Sequence, residues 1–362
     1  MSRFGHFMSG IRVLDLSRHF PGPLATLLMV DFGADVLKIE PPSGDELRQT
    51  GPIGAQGRPV YFDAINAGKV CRRMNLKDDR DKAGFLTLAA QADILIESFR
   101  PGVMERLGLG YPTLSALNPG LIYCSLNGFG HDSPLASMAA HDANYLGLAG
   151  VLDRNGAGAP SFSDPPVADC VGGLLALSAI LGALQARHAD GKGCQIDLAL
   201  ADAVMPLQTL QLAEFAANGT VPRRGHHFWN GSAAYYQVYA TGDERFVMLG
   251  AVEPKFWESF CRTAGRPDWI GRQGEAEPQR GLKDEVAAMF RTLTLAECLA
   301  RFGPVDCCVT AILDLKEAIE SPHHRHRRLV RPGSDGSLQA LFPALVNGEP
   351  PALRAPIDDR SA

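Results

Sequence analysis

Apolar positions along the chain switch repeatedly between a period of two and a helical period. "IRVLDLS" (11–17) reads as a short strand, and "PGPLATLLMVDFGA" (21–34) has helical spacing that ends at Gly33. "DVLKIEPP" (35–42) is a second strand, stopped by prolines. Together these predict a βαβ unit, the opening of a doubly wound parallel sheet. The pattern continues with a helix over 79–92, a strand over 93–99, a helix near 112–117 and a strand over 121–130. Helix-compatible runs follow at 142–151 and 167–188, and 193–219 reads as a strand leading into a long helix.

From about Thr220 the texture changes. "YYQVYATGDERFVMLGAV" (235–252) alternates around a turn signal and predicts an antiparallel hairpin. Helical segments follow at 254–265 and 282–301. The Pro- and Gly-rich tail is too short to fold alone and is expected to return to the first domain. The expected organisation is a large α/β domain over 1–219, completed by 326–362, and a small α+β domain over 220–325.

Composition narrows the class. At 362 residues the chain suggests about two domains, and 46% hydrophobic with 21% charged residues is globular. The net charge of −5 arises from interspersed acids and bases, so no broad footprint for nucleic acid is expected. Neither a membrane-spanning stretch nor a signal-peptide core is read in the chain. Eight cysteines without a CxxC pair suggest free thiols in a reducing cytoplasm, with Cys307 and Cys308 simply packing.

Candidate chemistry is sparse at first reading. The first βα turn, "SRHFPGPLA", lacks the G-x-G-x-x-G fingerprint, and proline offers no N–H to a pyrophosphate. Glu40 is therefore expected to be a polar strand end rather than a ribose ligand. "HHRHRR" (323–328) is expected to be a solvated connection, because His323, His324 and His326 cannot share one helical face and no carboxylate or cysteine ligand accompanies them. His226 and His227 fall in an apparent loop without a role. Neither a G-x-S-x-G elbow nor a Walker loop occurs. "AHDANYLGLAG" (140–150) sets His141 beside Asp142 ahead of an apolar run. By itself the pair reads as a helix start, with Asp142 accepting a backbone N–H.

Several blocks taken together resemble the family III CoA-transferases, the group that contains the α-methylacyl-CoA racemases. They are "GIRVLDLSRHFPGPLATLLMVDFGADVLKIEPP", "ADILIESFRPGVMERLGLGYPTLSALNPGLIYCSLNGFG", "GKGCQIDLALADA", "YYQVYATGDERFVMLGAVEPKFWESFCRTAGRPDW" and "VDCCVTAILDLKEAIESPHHRHRRLV". The resemblance implies a Rossmann-like large domain that carries CoA, a small domain, and an interlocked homodimer. It implies no metal or redox cofactor, since CoA is part of the substrate.

Within such a family the choice lies between two chemistries. Transferases use one aspartate as the nucleophile that becomes an acyl anhydride. Racemases use the same aspartate as an acid/base, opposed by a histidine. The aspartate corresponds to Asp169 in "PPVADCVGGLLAL", expected at an N-cap. "AHDANY" resembles the racemase "GHDxNY", which makes His141 the second acid/base, with Ala140 in place of glycine. "FWNGSAAYY" has only Gly231 where formyl-CoA transferases carry a glycine-rich loop. The resemblance further assigns Glu253 to support the histidine from the other subunit. For CoA it points to Met74, Asn75, Leu76, Lys77, Ser98, Phe99, Arg100 and Arg106. Ala140, His141, Asp142, Ala143, Asn144 and Tyr145 are expected at the pantetheine and thioester end. Pro41 stands where some racemases have an arginine, so Lys38 is a candidate for the missing phosphate contact. The expected activity is proton transfer at C2 of a 2-methylacyl-CoA. The alternatives are a CoA-transferase and a non-catalytic acyl-CoA-binding homologue.

Overall fold

The computed structural model describes residues 3–54, 57, 59–156 and 158–360. They form two compact units, one within 1–149, 163–208 and 321–362, the other within 150–162 and 209–320. Residues 150–162 and 209–219, expected in the large domain, thus group with the second unit. The expected single helix after 199 is interrupted at Pro206 and yields a short helix Leu200–Ala203, a 3-10 turn Pro206–Gln208 and a helix Thr209–Asn218.

The first unit is built on seven parallel strands. They are β1 (Arg12–Leu16), β2 (Asp35–Glu40), β3 (Val70–Arg73), β4 (Ile94–Glu97), β5 (Ile122–Asn127), β6 (Cys194–Ala199) and a final Asp358–Asp359 strand beside β3. Across the sheet, β3, β2, β1, β4, β5 and β6 follow one another, the Rossmann order. Register sets Leu14 between Leu37 and Leu95, and the central strands β4 and β5 are buried along their whole length, as strands covered on both faces are. The helices used below are α1 (Pro21–Asp31), α2 (Asp79–Ala89), α3 (Asp142–Leu148) and α4 (Val167–Asp190).

Close packing of α4 depends on glycine. A Cβ at Gly173 would stand 2.5 Å from the Pro21 carbonyl oxygen, and one at Gly172 would stand 2.2 Å from Leu200 Cδ2. By length and composition α4 could cross a membrane, against the expectation of no membrane-spanning stretch. Here Ala168, Ala176 and Ile180 are fully buried in the first unit.

Glu40, expected as a polar strand end, and Lys38, expected as a phosphate contact, are both core elements. Glu40 is buried and held in a fork by Arg48, with Nε–Oε2 at 2.6 Å and Nη2–Oε1 at 2.8 Å. Lys38 is 1% exposed and is spent on the Ser17 carbonyl (2.9 Å) and on Asp45 (3.0 Å). It cannot reach a phosphate without leaving Asp45 buried and unpaired. The tail does return to the first unit, where Arg354 pairs with Asp31.

The second unit carries a three-stranded antiparallel sheet, β7 (Tyr236–Ala240), β8 (Phe246–Gly250) and β9 (Val309–Ala311), the first two forming the expected hairpin. Trp257, Trp269, Phe260, Phe290 and Phe302 fill its core, and Trp257 Nε1–H donates to the Trp269 carbonyl at 3.0 Å. The helix expected over 282–301 is two, Arg280–Phe290 and Leu295–Phe302, because Thr294 starts the second with a reciprocal cap to Glu297. Cys307 is buried in this core, and Pro322–Arg327 is a short helix with its histidines exposed.

Candidate active site

Parallel sheets bind ligands beyond the carboxyl ends of their strands, where the chain order reverses. In this sheet the reversal lies between β1 and β4. A cleft of about 560 Å³ opens there, lined by the residues that follow β1 and β4 and by the loop after β5.

His141 and Asp169 both line it. His141 is the residue before the first turn of α3, and its N–H donates to Asn144 Oδ1 at 3.0 Å. Its side chain is exposed. The Tyr145 hydroxyl, one turn on, donates to the Ala140 carbonyl at 3.0 Å, and the Tyr145 ring meets Phe129 edge-on. This fixes the strand-to-helix corner that presents the imidazole.

Asp169 is the third residue of α4, not its cap, since Pro166 occupies that position. Asp142 does not cap its own helix either. Its Oδ1 accepts the Asp169 N–H at 3.1 Å, tying α3 to α4. Burial raises the Asp169 carboxyl to about 6, the Asp142 charge pushes the same way, and His141 opposes them. A carboxyl poised there gains and loses a proton near neutral pH, as an acid/base must.

Ser98, Phe99, Arg100 and Arg106 line the same cleft, with both arginines exposed. Ser98 Oγ accepts the Arg18 N–H at 2.8 Å, joining the turns after β4 and β1. Ala140 and Tyr145 are also in the lining, whereas Asp142, Ala143 and Asn144 are not. The Met74 side chain is buried with Leu14 and Phe85. Asn75, Leu76 and Lys77 form the turn from β3 to α2, held by Asn75 N–H to Asp81 and Lys77 N–H to Asn75 Oδ1, and none lines the cleft. Glu253 belongs to the second unit, exposed at the start of the helix Pro254–Ala264.

The sequence reading missed Arg18 and His19, which line the cleft immediately after β1. His19 has φ +62°, an uncommon backbone for a residue with a Cβ. The Arg18 guanidinium lies 5.2 Å from the Phe99 ring centre and 3.3 Å from Glu46. The available signal was positional, because both follow the first strand of a doubly wound sheet.

Comparison with known proteins agrees with this layout. The family model for CoA-transferase family III matches residues 8–357. The chain is 32% identical over 324 residues to the α-methylacyl-CoA racemase of Homo sapiens, covering 88% of this chain and 81% of that protein. It is 36% identical over 357 residues to the acetyl-CoA:oxalate CoA-transferase of Acetobacter aceti, covering 94% and 89% respectively. The crystal structure of a CaiB/BaiF family protein from Brucella suis superposes with a TM-score of 0.84 at 28% identity, covering 97% of this chain and 96% of that one. With its parallel sheet, its cleft at the strand reversal and a match along nearly its whole length, this chain belongs to CoA-transferase family III.

Proposed function

We propose that the protein is a racemase-like epimerase that moves a proton at C2 of a 2-methylacyl-CoA. The observation that carries this is the presence of His141 and Asp169 in one cleft, with the Asp169 carboxyl raised to about 6. A thioester α-proton is weakly acidic, so its removal needs a placed base and stabilisation of the enolate oxygen. One of the two groups takes the proton from one face, and the other returns a proton to the opposite face. The exposed Arg100 and Arg106 suit the CoA phosphates, because guanidinium stays charged and presents a planar fork of donors.

The transferase reading stays as the second one, favoured by the 36% identity to a CoA-transferase. There the Asp169 carboxylate attacks the thioester carbonyl, CoA leaves as thiolate, and an acyl anhydride remains. Incubation with 2-methylacyl-CoA in D₂O separates the two. Epimerisation with deuterium at C2 is the expected result. Each of His141→Ala and Asp169→Ala should stop epimerisation yet keep exchange on opposite epimers. Recovery of an Asp169 hydroxamate after hydroxylamine, with no deuterium incorporated, overturns the racemase reading.

The proposal includes a homodimer. Leu174, Leu207, Leu210, Phe215 and Phe162 stand 45–86% exposed in the single chain, large apolar side chains that a second copy would cover. In that dimer Glu253 of the second copy would support His141. Sedimentation at submicromolar protein is expected to give a dimer. A fully active monomer removes both statements.

A further inference from the structure

Behind the cleft wall lies a buried polar chain that the proton chemistry above does not use. Glu97, the last residue of β4, is 2% exposed, and its two oxygens face different elements. Oε2 accepts the Phe99 N–H at 2.7 Å, and Oε1 accepts the Ser125 hydroxyl at 2.5 Å. Ser125, fully buried on β5, is 2.7 Å from His131 Nε2. With the Glu97 carboxylate taking the hydroxyl's one proton, Ser125 Oγ accepts from His131 in the tautomer that carries hydrogen on Nε2.

The order Glu–Ser–His is not that of a hydrolytic triad. In a triad the serine proton goes to the imidazole and the oxygen faces substrate. Here it goes to the carboxylate, and the oxygen is sealed from the cleft. The chain instead joins two walls. Phe99 lines the cleft on one side, and Asn127, Gly128 and Phe129 line it on another. His131 lies two residues further along that loop. Its backbone N–H donates to Asp197 Oδ2 at 2.8 Å, and Asn127 Oδ1 takes the N–H groups of Phe129 (3.2 Å) and Gly130 (2.6 Å). Burial raises the Glu97 carboxyl, while the hydroxyl and the Phe99 N–H pull it back down.

We infer that Glu97, Ser125 and His131 are positioning residues, a clamp setting the spacing between the Ser98–Arg100 turn and the 127–131 loop for the CoA arm of the substrate. This rests on the reading of the cleft as a CoA-thioester site. His131 is half-exposed and is the member that can be changed with least damage to the core.

The test titrates free CoA calorimetrically into wild type, His131→Ala and His131→Gln, with KM and kcat for the acyl-CoA measured in parallel. Alanine removes the donor, and glutamine keeps an N–H at similar reach. His131→Ala should weaken CoA about tenfold, the factor expected for one lost hydrogen bond of position, and raise KM more than it lowers kcat. His131→Gln should recover most of the affinity. If His131→Ala lowers only the binding stoichiometry, with affinity unchanged, the residue merely supports folding and the inference is overturned. Equal affinity in all three proteins overturns it as well. A wild type that binds no CoA removes the cleft reading and the clamp together, an outcome distinct from the other two.

Discussion

At the scale of residues, Asp169 combines a catalytic proposal with a cost in stability. Its carboxyl is held at about 6 in the folded chain against 3.8 in the open one, first by burial and then by Asp142. The folded state therefore binds the extra proton, and the stability that this gives is complete below 3.8 and lost as pH rises through about 6. Asp169→Asn removes the buried charge. It should raise the melting temperature at about pH 7, with the gain shrinking towards zero at roughly pH 4, while abolishing turnover. Thermal unfolding across that range checks it. A gain independent of pH would mean that the charge is not what strains the site.

At the scale of elements, α4 packs through two glycines that are not equivalent, Gly172 against Leu200 and Gly173 against the start of α1. At Gly172 an added methyl meets the end of the Leu200 side chain, which can swing aside. At Gly173 it meets the Pro21 carbonyl, which is backbone and cannot. Pro21 follows His19 and Phe20 in the turn that lines the cleft, so this contact positions the wall as well as the core. Gly173→Ala should cost about 1–3 kcal/mol, the usual range for overpacking, and Gly172→Ala clearly less. Denaturant midpoints of the two variants measure the difference. Equal costs would place the constraint in the helix backbone rather than in the approach of α1.

At the scale of the whole molecule, the first unit is closed by residues from opposite ends of the chain. Arg354 Nε meets Asp31 Oδ1 at 2.7 Å and Nη2 meets Oδ2 at 2.6 Å, with both side chains nearly inaccessible. Burial raises the Asp31 carboxyl even with Arg354 and the Phe342 N–H opposing it. Arg354→Ala would strand that carboxylate, and a loss of about 3–5 kcal/mol is expected. Urea unfolding reads it out. A loss below about 1 kcal/mol, the level of an exposed pair, would mean that the tail is not a structural closure.

What the sequence determined by itself is local. Alternation around "IRVLDLS" and "DVLKIE", the turn at Gly33 and the apolar run after Asp169 specify strands and helices, because each period is set by neighbours a few residues apart. Short motifs carried the family and the pair His141 and Asp169 in the same way. Tertiary structure decided what parallel pairing brings together from afar. Strands β1, β2, β4 and β5 lie side by side, so Ser17 receives Lys38, Ser98 receives Arg18, and Glu97 reaches Ser125 and His131. No spacing in the chain reports such contacts, because each crossover inserts a helix or a long loop between the partners. Lys38 therefore reads as a free cation and proves to be a buried strut. Asp142 reads as a cap for its own helix and instead holds the backbone of Asp169, 27 residues away.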